Sequence, residues 1–344
     1  MDALRERLLA WMNGTTDEDF GAVALEVFAF QFARNAAYRA YAVARGRTPE
    51  TVARWQDIPA IPTDAFKFPA HPLRTFPAAA VAKTFRTSGT TRDIRGRHEF
   101  DDLSLYESSI LHGWRHAGLP VPANPWFLSQ APADAADSSL VHMFETLRRA
   151  NAPRADHRWL IDGGGNFLPQ GLRDTAAAGE PVALFATALA LLRWTEQQPP
   201  LALPAGSWIF ETGGYKGVSV ELDKDAFRAR VAEHFAVPVA RILNEYGMTE
   251  LSSPFYAWPD EPAHRGCPWT RIRVIDPETG GEAPQGEAGY LEIVDLANLG
   301  SVAAIRTQDL AIARGVNAFT LLGRDPGALP RGCSRRADDL LTRP

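Results

Sequence analysis

Four hydroxyl side chains and one glycine occupy five successive positions of the chain: Thr87, Ser88, Gly89, Thr90 and Thr91. In a loop, the main-chain N–H groups and hydroxyls of such a cluster can converge on phosphate oxygens. Positive charge surrounds the cluster at four arginines: Arg86, Arg92, Arg95 and Arg97. Serine, threonine and glycine also cluster in ordinary turns, so a phosphate site needs support from other nucleotide-binding residues.

Residues suited to a nucleotide recur in the sequence NEYGMTE at 244–250. The run at 239–243 before it predicts a strand, and ligands of open α/β sheets bind beyond the carboxyl ends of strands. Tyr246 can stack on a purine, Thr249 can contact a phosphate, and Glu250 can hold Mg²⁺ through its carboxylate. A solvated loop is the competing interpretation of so short a motif.

A third polar residue, Asp309, lies between apolar neighbours in the sequence IRTQDL at 305–310. A buried carboxylate needs hydrogen-bond partners, and the hydroxyls of a ribose are suitable ones. A salt bridge with a neighbouring arginine would satisfy the carboxylate as well. Taken alone, Asp309 favours the salt bridge.

The composition indicates a globular protein with a small molecule or another protein as its partner. The 344 residues are 45% hydrophobic and 22% charged, and 36 basic against 41 acidic residues give a net charge of −5. This charge predicts no binding to nucleic acid or to anionic membranes. The two cysteines, Cys267 and Cys333, imply no disulfide framework. An amphipathic N-terminus and a short apolar run at 181–194 predict no signal peptide and no membrane span, and therefore a cytoplasmic location.

The elements that would position these residues alternate between helical and β-like patterns. Apolar residues recur at helical spacing from 20 to 45, and a strand ending near Phe85 would place residues 87–91 on a loop. Other β-like runs lie at 126–128, 208–210, 239–243, 271–275 and 290–294. Helical patterns at 138–149 and 224–235 alternate with them. The alternation predicts an α/β fold with layered sheets.

In this order, the three polar segments resemble the adenylate-forming superfamily. Two further segments add to the resemblance: ETGGYKG at 211–217 is similar to a glycine-containing adenine wall, and LGRD at 322–325 to the hinge that closes the large domain. The resemblance implies ATP and Mg²⁺ as ligands, with Glu250 on the metal. The implied nucleotide-binding residues are Thr87, Ser88, Gly89, Thr90, Thr91, Gly213, Gly214, Tyr246, Gly247, Thr249, Asp309 and Arg324.

The resemblance also implies the layered α/β fold of the large N-terminal domain of these enzymes, at residues 1–322. Residues 323–344 would form a short hinge and tail, and the small C-terminal domain, which carries a catalytic lysine in most relatives, is expected to be largely absent. The glycine and lysine usual after the phosphate loop are replaced by RDIRGR at 92–97. An arginine would then meet the phosphates, with a different geometry.

Within the superfamily, three sequence segments most resemble acyl-protein synthetases of the bioluminescence fatty-acid reductase type. They are FETGGYKG, YGMTEL and the RGCS that follows LLGR. The resemblance implies that a carboxylic acid becomes an acyl adenylate, with Thr249 and Glu250 acting in catalysis. The acyl group would then move to Cys333 and on to a partner protein, expected to be a reductase, an acyltransferase or a carrier protein. Arginines beside Cys333 favour its thiolate, whereas Cys267 is predicted to have no chemical role.

Two other functions remain open at this point. The acyl adenylate could pass directly to coenzyme A, an amine or a carrier protein, which a Cys333→Ser enzyme would distinguish. A catalytically degenerate nucleotide-binding scaffold subunit would instead bind ATP without releasing pyrophosphate. The retained Tyr246, Glu250 and Asp309 argue against such a scaffold. His112 and His116 have the spacing of metal ligands on a helix, but no carboxylate or cysteine nearby completes a set of ligands, so a surface or partly buried pair is predicted.

Overall fold

A computed structural model describes residues 1–87, 95–152, 158–214 and 223–325. These residues contain eight α-helices and fourteen strands. The helices are α1 Asp2–Met12, α2 Phe20–Arg34, α3 Ala36–Val43, α4 Ser104–His116, α5 Ser139–Asn151, α6 Gln170–Ala177, α7 Ala188–Gln197 and α8 Lys224–Phe235.

The strands form one large sheet and one hairpin. They are β1 Ile61–Pro62, β2 Lys83–Arg86, β3 Arg97–Phe100, β4 Pro125–Gln130, β5 Trp159–Ile161, β6 Ala183–Thr187, β7 Trp208–Thr212, β8 Ile242–Tyr246, β9 Phe255–Trp258, β10 Glu261–Arg265, β11 Thr270–Ile275, β12 Ala288–Asp295, β13 Ala304–Gly315 and β14 Ala318–Arg324. Twelve strands form the sheet in the order β11-β12-β13-β14-β10-β9-β8-β7-β6-β4-β5, with β1 beside β13. Strands β2 and β3 form the hairpin.

The half of the sheet from β5 to β8 is parallel and carries helices on both faces. Its strands are buried along their whole length, as expected for a parallel sheet covered on two sides. Side chains of α4 and α5 pack on one face, around Phe127, Phe185 and Phe210. Side chains of α6, α7 and α8 pack on the other face. The carboxyl ends of β7 and β8 therefore open between two layers of helices.

Side chains that cap helix N-termini fix where these helices begin. Ser138 Oγ accepts a hydrogen bond from the N–H of Val141 at the start of α5, and Asp223 accepts one from the N–H of Ala226 at the start of α8. A cap of this kind contributes about 1 kcal/mol.

The other half of the sheet, β9 to β14, is antiparallel and packs against the first three helices. Helices α2 and α3 bury an apolar core with β11 to β14. Gln31 of α2 donates to the main-chain oxygen of Asn298 over 2.9 Å and so ties this helix to the connection between β12 and β13. This half brings β13, with Asp309, beside β14.

The sequence patterns predicted most of these elements, with one error of position. The helix at 224–235 and the strands near 126, 208, 271 and 290 are confirmed, and the apolar run at 181–194 is the strand–helix pair β6 and α7. The predicted strand at 239–243 is wrong at its start. A turn of 3-10 helix occupies Val239–Arg241 after Pro238, so β8 begins at Ile242 and contains Asn244, Glu245 and Tyr246. Among the described residues, no helix has the length and apolar character needed to cross a membrane.

Candidate active site

The carboxyl ends of β7 and β8 lie side by side and carry two of the predicted segments. Thr212, the last residue of β7, is the register partner of Glu245 in β8, and the Thr212 hydroxyl donates a hydrogen bond to the Glu245 carboxylate. Gly213 follows with φ +76°, a conformation that a residue with a Cβ rarely adopts. The glycine predicted for an adenine wall therefore turns the chain away just where it passes Tyr246.

Tyr246 and Asp309 come together although 63 residues separate them. The Tyr246 hydroxyl donates a hydrogen bond of 2.7 Å to Asp309 Oδ2. The tyrosine ring packs edge-on against Phe319 at 5.1 Å between centroids, and Arg324 of β14 is the register partner of Asp309. The residues predicted for adenine, ribose and the hinge thus form one connected group.

The loop after β8, which contains Thr249 and Glu250, is held by three side chains from two distant segments. His98 of β3 donates from Nδ1 to the main-chain oxygen of Thr249 over 2.7 Å. Asn298 donates from Nδ2 to the main-chain oxygen of Glu250 over 2.8 Å. Asp295 Oδ2 accepts from the N–H groups of Ser252 and Ser253, both at 2.8 Å.

The same loop reaches α5 through a side chain. The hydroxyls of Thr249 and Ser139 share a hydrogen bond of 3.4 Å, and Thr249 and Glu250 are 1% and 4% exposed. Thr249, predicted to contact phosphate, and Glu250, predicted to hold Mg²⁺, are therefore both buried. Main-chain anchors on both sides of Glu250 limit the conformations that this segment can adopt.

His98 is a neutral imidazole at the centre of an aromatic group. Its ring packs against Phe66 and Phe100, with centroids 5.5 and 4.2 Å away. Burial lowers the pKa of His98 to about 4, against the hydrogen bond to Thr249, which raises it. Because a carbonyl oxygen can only accept, the proton of this neutral ring lies on Nδ1.

The base of the predicted phosphate loop is a closed hairpin. The N–H of Thr87 donates to the main-chain oxygen of Gly96 over 2.9 Å, and the N–H of Gly96 donates to the Thr87 hydroxyl over 2.7 Å. Arg95 donates from Nε to the main-chain oxygen of Thr87 over 2.6 Å. His98 follows two residues after Gly96, so the hairpin base lies beside the Thr249 loop. Ser88, Gly89, Thr90 and Thr91 lie outside the described residues.

A pocket opens between α5 and the ends of β7 and β8, with about 490 Å³ of empty space including its mouth. Its described lining comprises Tyr106, Ser139, Leu140, Met143, Thr212, Gly213, Glu245, Gly247, Met248, Leu251, Ser252, Ser253 and Pro254. Glu245 is 6% exposed, and burial raises its pKa to about 7, the Thr212 hydrogen bond opposing the shift. The pocket is mainly apolar, with one carboxyl group in its wall.

A second buried polar group lies on the opposite face of β7 and β8. Lys224 Nζ and His264 Nε2 both donate to Asn244 Oδ1, over 3.2 and 2.7 Å. Arg228 Nη2 lies 3.8 Å from Glu211 Oε1. Burial raises the pKa of Glu211 to about 7, while Lys224 and Arg228 oppose that shift. These residues fix the amide of Asn244 from behind the sheet.

The structure brings most of the predicted site residues together, and it adds residues that the sequence reasoning missed. Gly213, Gly247 and the Thr249 loop border one pocket, and Tyr246, Asp309 and Arg324 adjoin one another. Cys333 lies outside the described residues. The supporting residues that the sequence reasoning did not assign to the site are His98, Ser139, Thr212, Glu245, Asp295 and Asn298. Glu245 stands inside the NEYGMTE motif, and its acidic side chain in a buried strand was the available signal.

Three other residues considered in the sequence, Cys267, His112 and His116, are not among the described residues that line this pocket. Cys267 is 2% exposed, and burial strongly raises the pKa of its thiol. His112 and His116 lie on α4, one half-buried and one exposed. No group of three His, Cys, Asp or Glu side chains suited to a metal ion occurs among the described residues.

Comparison with known proteins relates the sequence to acyl-protein synthetases. The family model "Acyl-protein synthetase, LuxE" matches residues 178–341. The long-chain-fatty-acid–luciferin-component ligase of Aliivibrio fischeri is 23% identical over 313 residues, which cover 85% of this chain and 78% of that protein. The family-model match includes the segments around Tyr246 and Asp309.

Two crystal structures of 2-hydroxyisobutyryl-CoA ligase have the same fold. The open conformation, in complex with 2-HIB-AMP and CoA, gives a TM-score of 0.61 at 13% identity and covers 89% of this chain and 74% of that one. The thioesterification state gives 0.63 at 14% identity, with 88% and 68% covered. The expected resemblance is confirmed: the chain has the fold of the large domain of adenylate-forming enzymes and is similar in sequence to acyl-protein synthetases.

Proposed function

We propose that this chain is an acid–thiol ligase that uses ATP to activate a carboxylic acid as an acyl adenylate. The observation that carries the proposal is the meeting of three segments distant in sequence. Tyr246 is hydrogen-bonded to Asp309, and the Thr249 carbonyl is hydrogen-bonded to His98, which follows the base of the 87–91 loop. Each segment alone has an ordinary structural explanation, but together they surround the carboxyl ends of parallel strands, where nucleotides bind.

ATP would lie across this edge of the sheet. The 87–91 loop would receive the β- and γ-phosphates, and Thr249 the α-phosphate. Adenine would lie between the Tyr246 ring and the glycines Gly213 and Gly214, with the ribose hydroxyls on Asp309. A carboxylate offers about four lone-pair positions, so Asp309 can accept ribose hydroxyls in addition to the Tyr246 hydroxyl. Arg324, beside Asp309, would approach the same end of the nucleotide.

Glu250 fits a role as the protein ligand of Mg²⁺. Mg²⁺ in phosphoryl-transfer sites is commonly held by one or two carboxylates together with substrate phosphates and water. A single buried carboxylate at a loop anchored by Asn298 suits that arrangement, and a cage of several acidic side chains is not required. A bound Mg²⁺ would offset the charge that develops on the departing pyrophosphate.

The acid would bind in the pocket between α5 and the strand ends, because Ser139 joins this pocket to Thr249. Its ionised carboxylate attacks the α-phosphorus of ATP; a bond from acid oxygen to phosphorus forms, and the bond to the β-phosphate oxygen breaks. No general base is needed, since a carboxylic acid is already ionised near neutral pH. The protein contributes mainly orientation and charge stabilisation.

The acyl group would then pass to a thiol, and Cys333 is the proposed acceptor. The chain has two cysteines. Cys267 is unsuited, because it is 2% exposed and burial disfavours its thiolate. Attack of the Cys333 thiolate on the acyl carbonyl would form a thioester and release AMP. A reductase, an acyltransferase or a carrier protein would receive the acyl group from Cys333. The relative from Aliivibrio fischeri is itself named a ligase of a luciferin component.

Pyrophosphate release tests the activation step. The purified chain is given ATP, Mg²⁺ and a panel of alkyl, aryl, hydroxy and amino acids, and acid-dependent release is expected with at least one class. Glu250→Gln keeps the size of the side chain and removes its charge, so release should fall by a hundredfold or more. Normal release from a folded Glu250→Gln protein would remove Glu250 from the mechanism.

Intact-protein mass spectrometry tests the transfer step separately. The acid used is one that gives pyrophosphate release in the first experiment. The wild-type protein and the Cys267→Ala variant should each gain the mass of one acyl group. The Cys333→Ser variant should gain no acyl mass while still releasing pyrophosphate. An adduct that persists in Cys333→Ser would exclude Cys333 as the acceptor. ATP binding without pyrophosphate release from any acid would favour a nucleotide-binding scaffold, and full product formation by Cys333→Ser would favour direct transfer to coenzyme A, an amine or a carrier protein.

A further inference from the structure

The wall of the acid pocket contains a carboxyl group that the activation chemistry does not use. Glu245 lies on the pocket face of β8, is 6% exposed and lines the cavity with Tyr106 and Ser139. None of the described residues that line this pocket is Lys, Arg or His. With the described residues of the lining, a carboxyl group here forms no ion pair.

Glu245 is poorly satisfied by the protein itself. Within the described residues, the Thr212 hydroxyl is the one hydrogen-bond partner of its carboxyl group. The negative charge of Glu211, behind the neighbouring strand, adds to the cost of ionising Glu245. A buried carboxyl has room for several hydrogen bonds, and leaving them unmade costs free energy. A purely structural residue would be served better by an apolar side chain at this position.

The surrounding chain leaves space for this carboxyl group. A Cβ at Gly247 would lie 2.2 Å from Glu245 Oε1, so any other residue at 247 would displace the carboxyl from its position. Tyr256, the register partner of Glu245 on β9, has a buried hydroxyl without a hydrogen-bond partner in the part of the chain that the structure describes. Thr212 thus donates to Oε2, and Gly247 leaves room for Oε1 at the pocket wall.

We infer that Glu245 determines substrate specificity by hydrogen-bonding a polar group on the chain of the acid. The preferred substrate is then a carboxylic acid that carries a hydrogen-bond donor, a hydroxyl or an amino group, and not an unsubstituted long alkyl chain. This inference rests on the proposed function, because it assigns the pocket to the acid. It distinguishes this chain from its Aliivibrio fischeri relative, whose name specifies a long-chain fatty acid.

The physical basis is the penalty for an unpaired polar group. A site built to hydrogen-bond a substrate hydroxyl or amine rejects the analogue without that group, because its own polar atom is then buried unpaired. An unsubstituted acid would place a methylene group against Glu245. The resulting discrimination should reach at least about tenfold in kcat/KM.

Matched acids test this inference through pyrophosphate release. Butanoate is compared with 3-hydroxybutanoate, 4-hydroxybutanoate and 4-aminobutanoate, and phenylacetate with its 4-hydroxy and 4-amino derivatives; hexadecanoate represents long alkyl acids. Wild type should prefer a substituted acid to its parent by at least about tenfold. Glu245→Leu should abolish or reverse that ratio, and Glu245→Gln, which retains hydrogen bonding, should keep part of the preference for hydroxyl groups.

Glu211→Gln is the matched control, because Glu211 is equally buried but faces away from the pocket. It should leave the ratio between substituted and parent acids unchanged, whatever its overall rate. If the wild-type protein prefers amino-substituted to hydroxy-substituted acids and Glu245→Gln loses this preference, the group that Glu245 binds is an amine. Preference of wild type for unsubstituted acids, or a ratio unaffected by both Glu245 variants, would overturn the inference while leaving acid activation intact. Absence of release with every acid would instead refute the proposed function, and the inference with it.

Discussion

The imidazole of His98 donates a hydrogen bond of 2.7 Å to the main-chain oxygen of Thr249, 151 residues later in the chain. This bond joins the strand that leaves the 87–91 loop to the loop that carries Glu250. Two segments proposed to hold opposite parts of a triphosphate are therefore fixed relative to each other by one side chain. Such supporting contacts commonly change activity by 10- to 100-fold when they are removed.

We expect His98→Leu to lower kcat for acid-dependent pyrophosphate release by roughly 10- to 100-fold. Leucine fills much of the same space but cannot donate to the Thr249 carbonyl. His98→Asn places an amide N–H near the position of Nδ1 and should restore part of the lost rate. Equal losses in both variants, with equal unfolding free energies, would show that packing against Phe66 and Phe100 matters and the hydrogen bond does not.

Tyr246→Phe should raise the KM for ATP with little change in kcat. The variant keeps a ring for stacking but loses the hydrogen bond to Asp309, worth about 1 to 2 kcal/mol, so an effect of about five- to thirtyfold is expected. Tyr38→Phe is the matched control, since its buried hydroxyl donates to the main-chain oxygen of Pro59. It should lose similar stability without affecting the KM for ATP. An unchanged KM in Tyr246→Phe would count against a nucleotide at this position.

Asp295→Asn should destabilise the protein and reduce activity together. Asp295 is fully buried and accepts hydrogen bonds from the N–H groups of Ser252, Ser253 and Ala297 and from the Ser253 hydroxyl. An amide has one acceptor oxygen, so at least one of these donors loses its partner, at about 1 to 3 kcal/mol. Urea unfolding measures the stability and pyrophosphate release the activity. Full activity in this variant would mean that the 250–253 segment needs no such anchor.

Glu245→Gln should stabilise the protein increasingly as the pH rises from about 4.5 to 7. The pKa of Glu245 is raised by burial from 4.5 to about 7, so between these values the folded protein retains a proton that the unfolded chain has released. Wild-type stability then falls with rising pH by about 1.4 kcal/mol per pH unit, or roughly 3 kcal/mol in all. Because glutamine does not titrate, the Glu245→Gln variant does not lose this unfolding free energy.

Urea unfolding of both proteins at pH 5, 6, 7 and 8 checks this expectation. The difference in unfolding free energy should grow up to about pH 7 and stay constant above it. A difference that is the same at every pH would mean that the carboxyl group is better solvated than its burial indicates.

Cys267 should not react with thiol reagents while the protein is folded. Burial strongly raises the pKa of its thiol, and its Sγ lies close to Gly113 of α4, where an added Cβ would be only 2.8 Å away. A Cys333→Ser protein, which retains only Cys267, should release no chromophore from a disulfide reagent in buffer and one equivalent in urea. Rapid reaction in buffer would contradict the burial of this thiol.

The sequence predicted the site residues that stand in local motifs. Tyr246, Thr249 and Glu250 were recognisable because they stand at or just after the carboxyl end of an apolar strand, where ligands bind, and Asp309 because it is a polar residue between apolar neighbours, in the middle of β13. The boundaries were less certain: β8 begins three residues later than predicted. Pro238 starts a short 3-10 turn, and pairing of Ile242 with Ile209 then fixes the register of the strand.

The contacts that hold these residues in place could be seen only in the folded chain. His98, Asp295 and Asn298 lie in segments without a motif, and each acts on a main-chain group far away in sequence. Hydrogen bonds of this kind depend on which strands become neighbours, and no periodicity or spacing in the sequence encodes that order.

By itself, then, the sequence determined the alternation of helices and strands and the chemistry available at the strand ends, since both follow from local side-chain patterns. Tertiary structure decided that Glu245 faces the pocket and Glu211 the opposite side. Successive residues of a strand point to opposite faces, but which face meets α5 and which meets α8 is set by the packing of the helices.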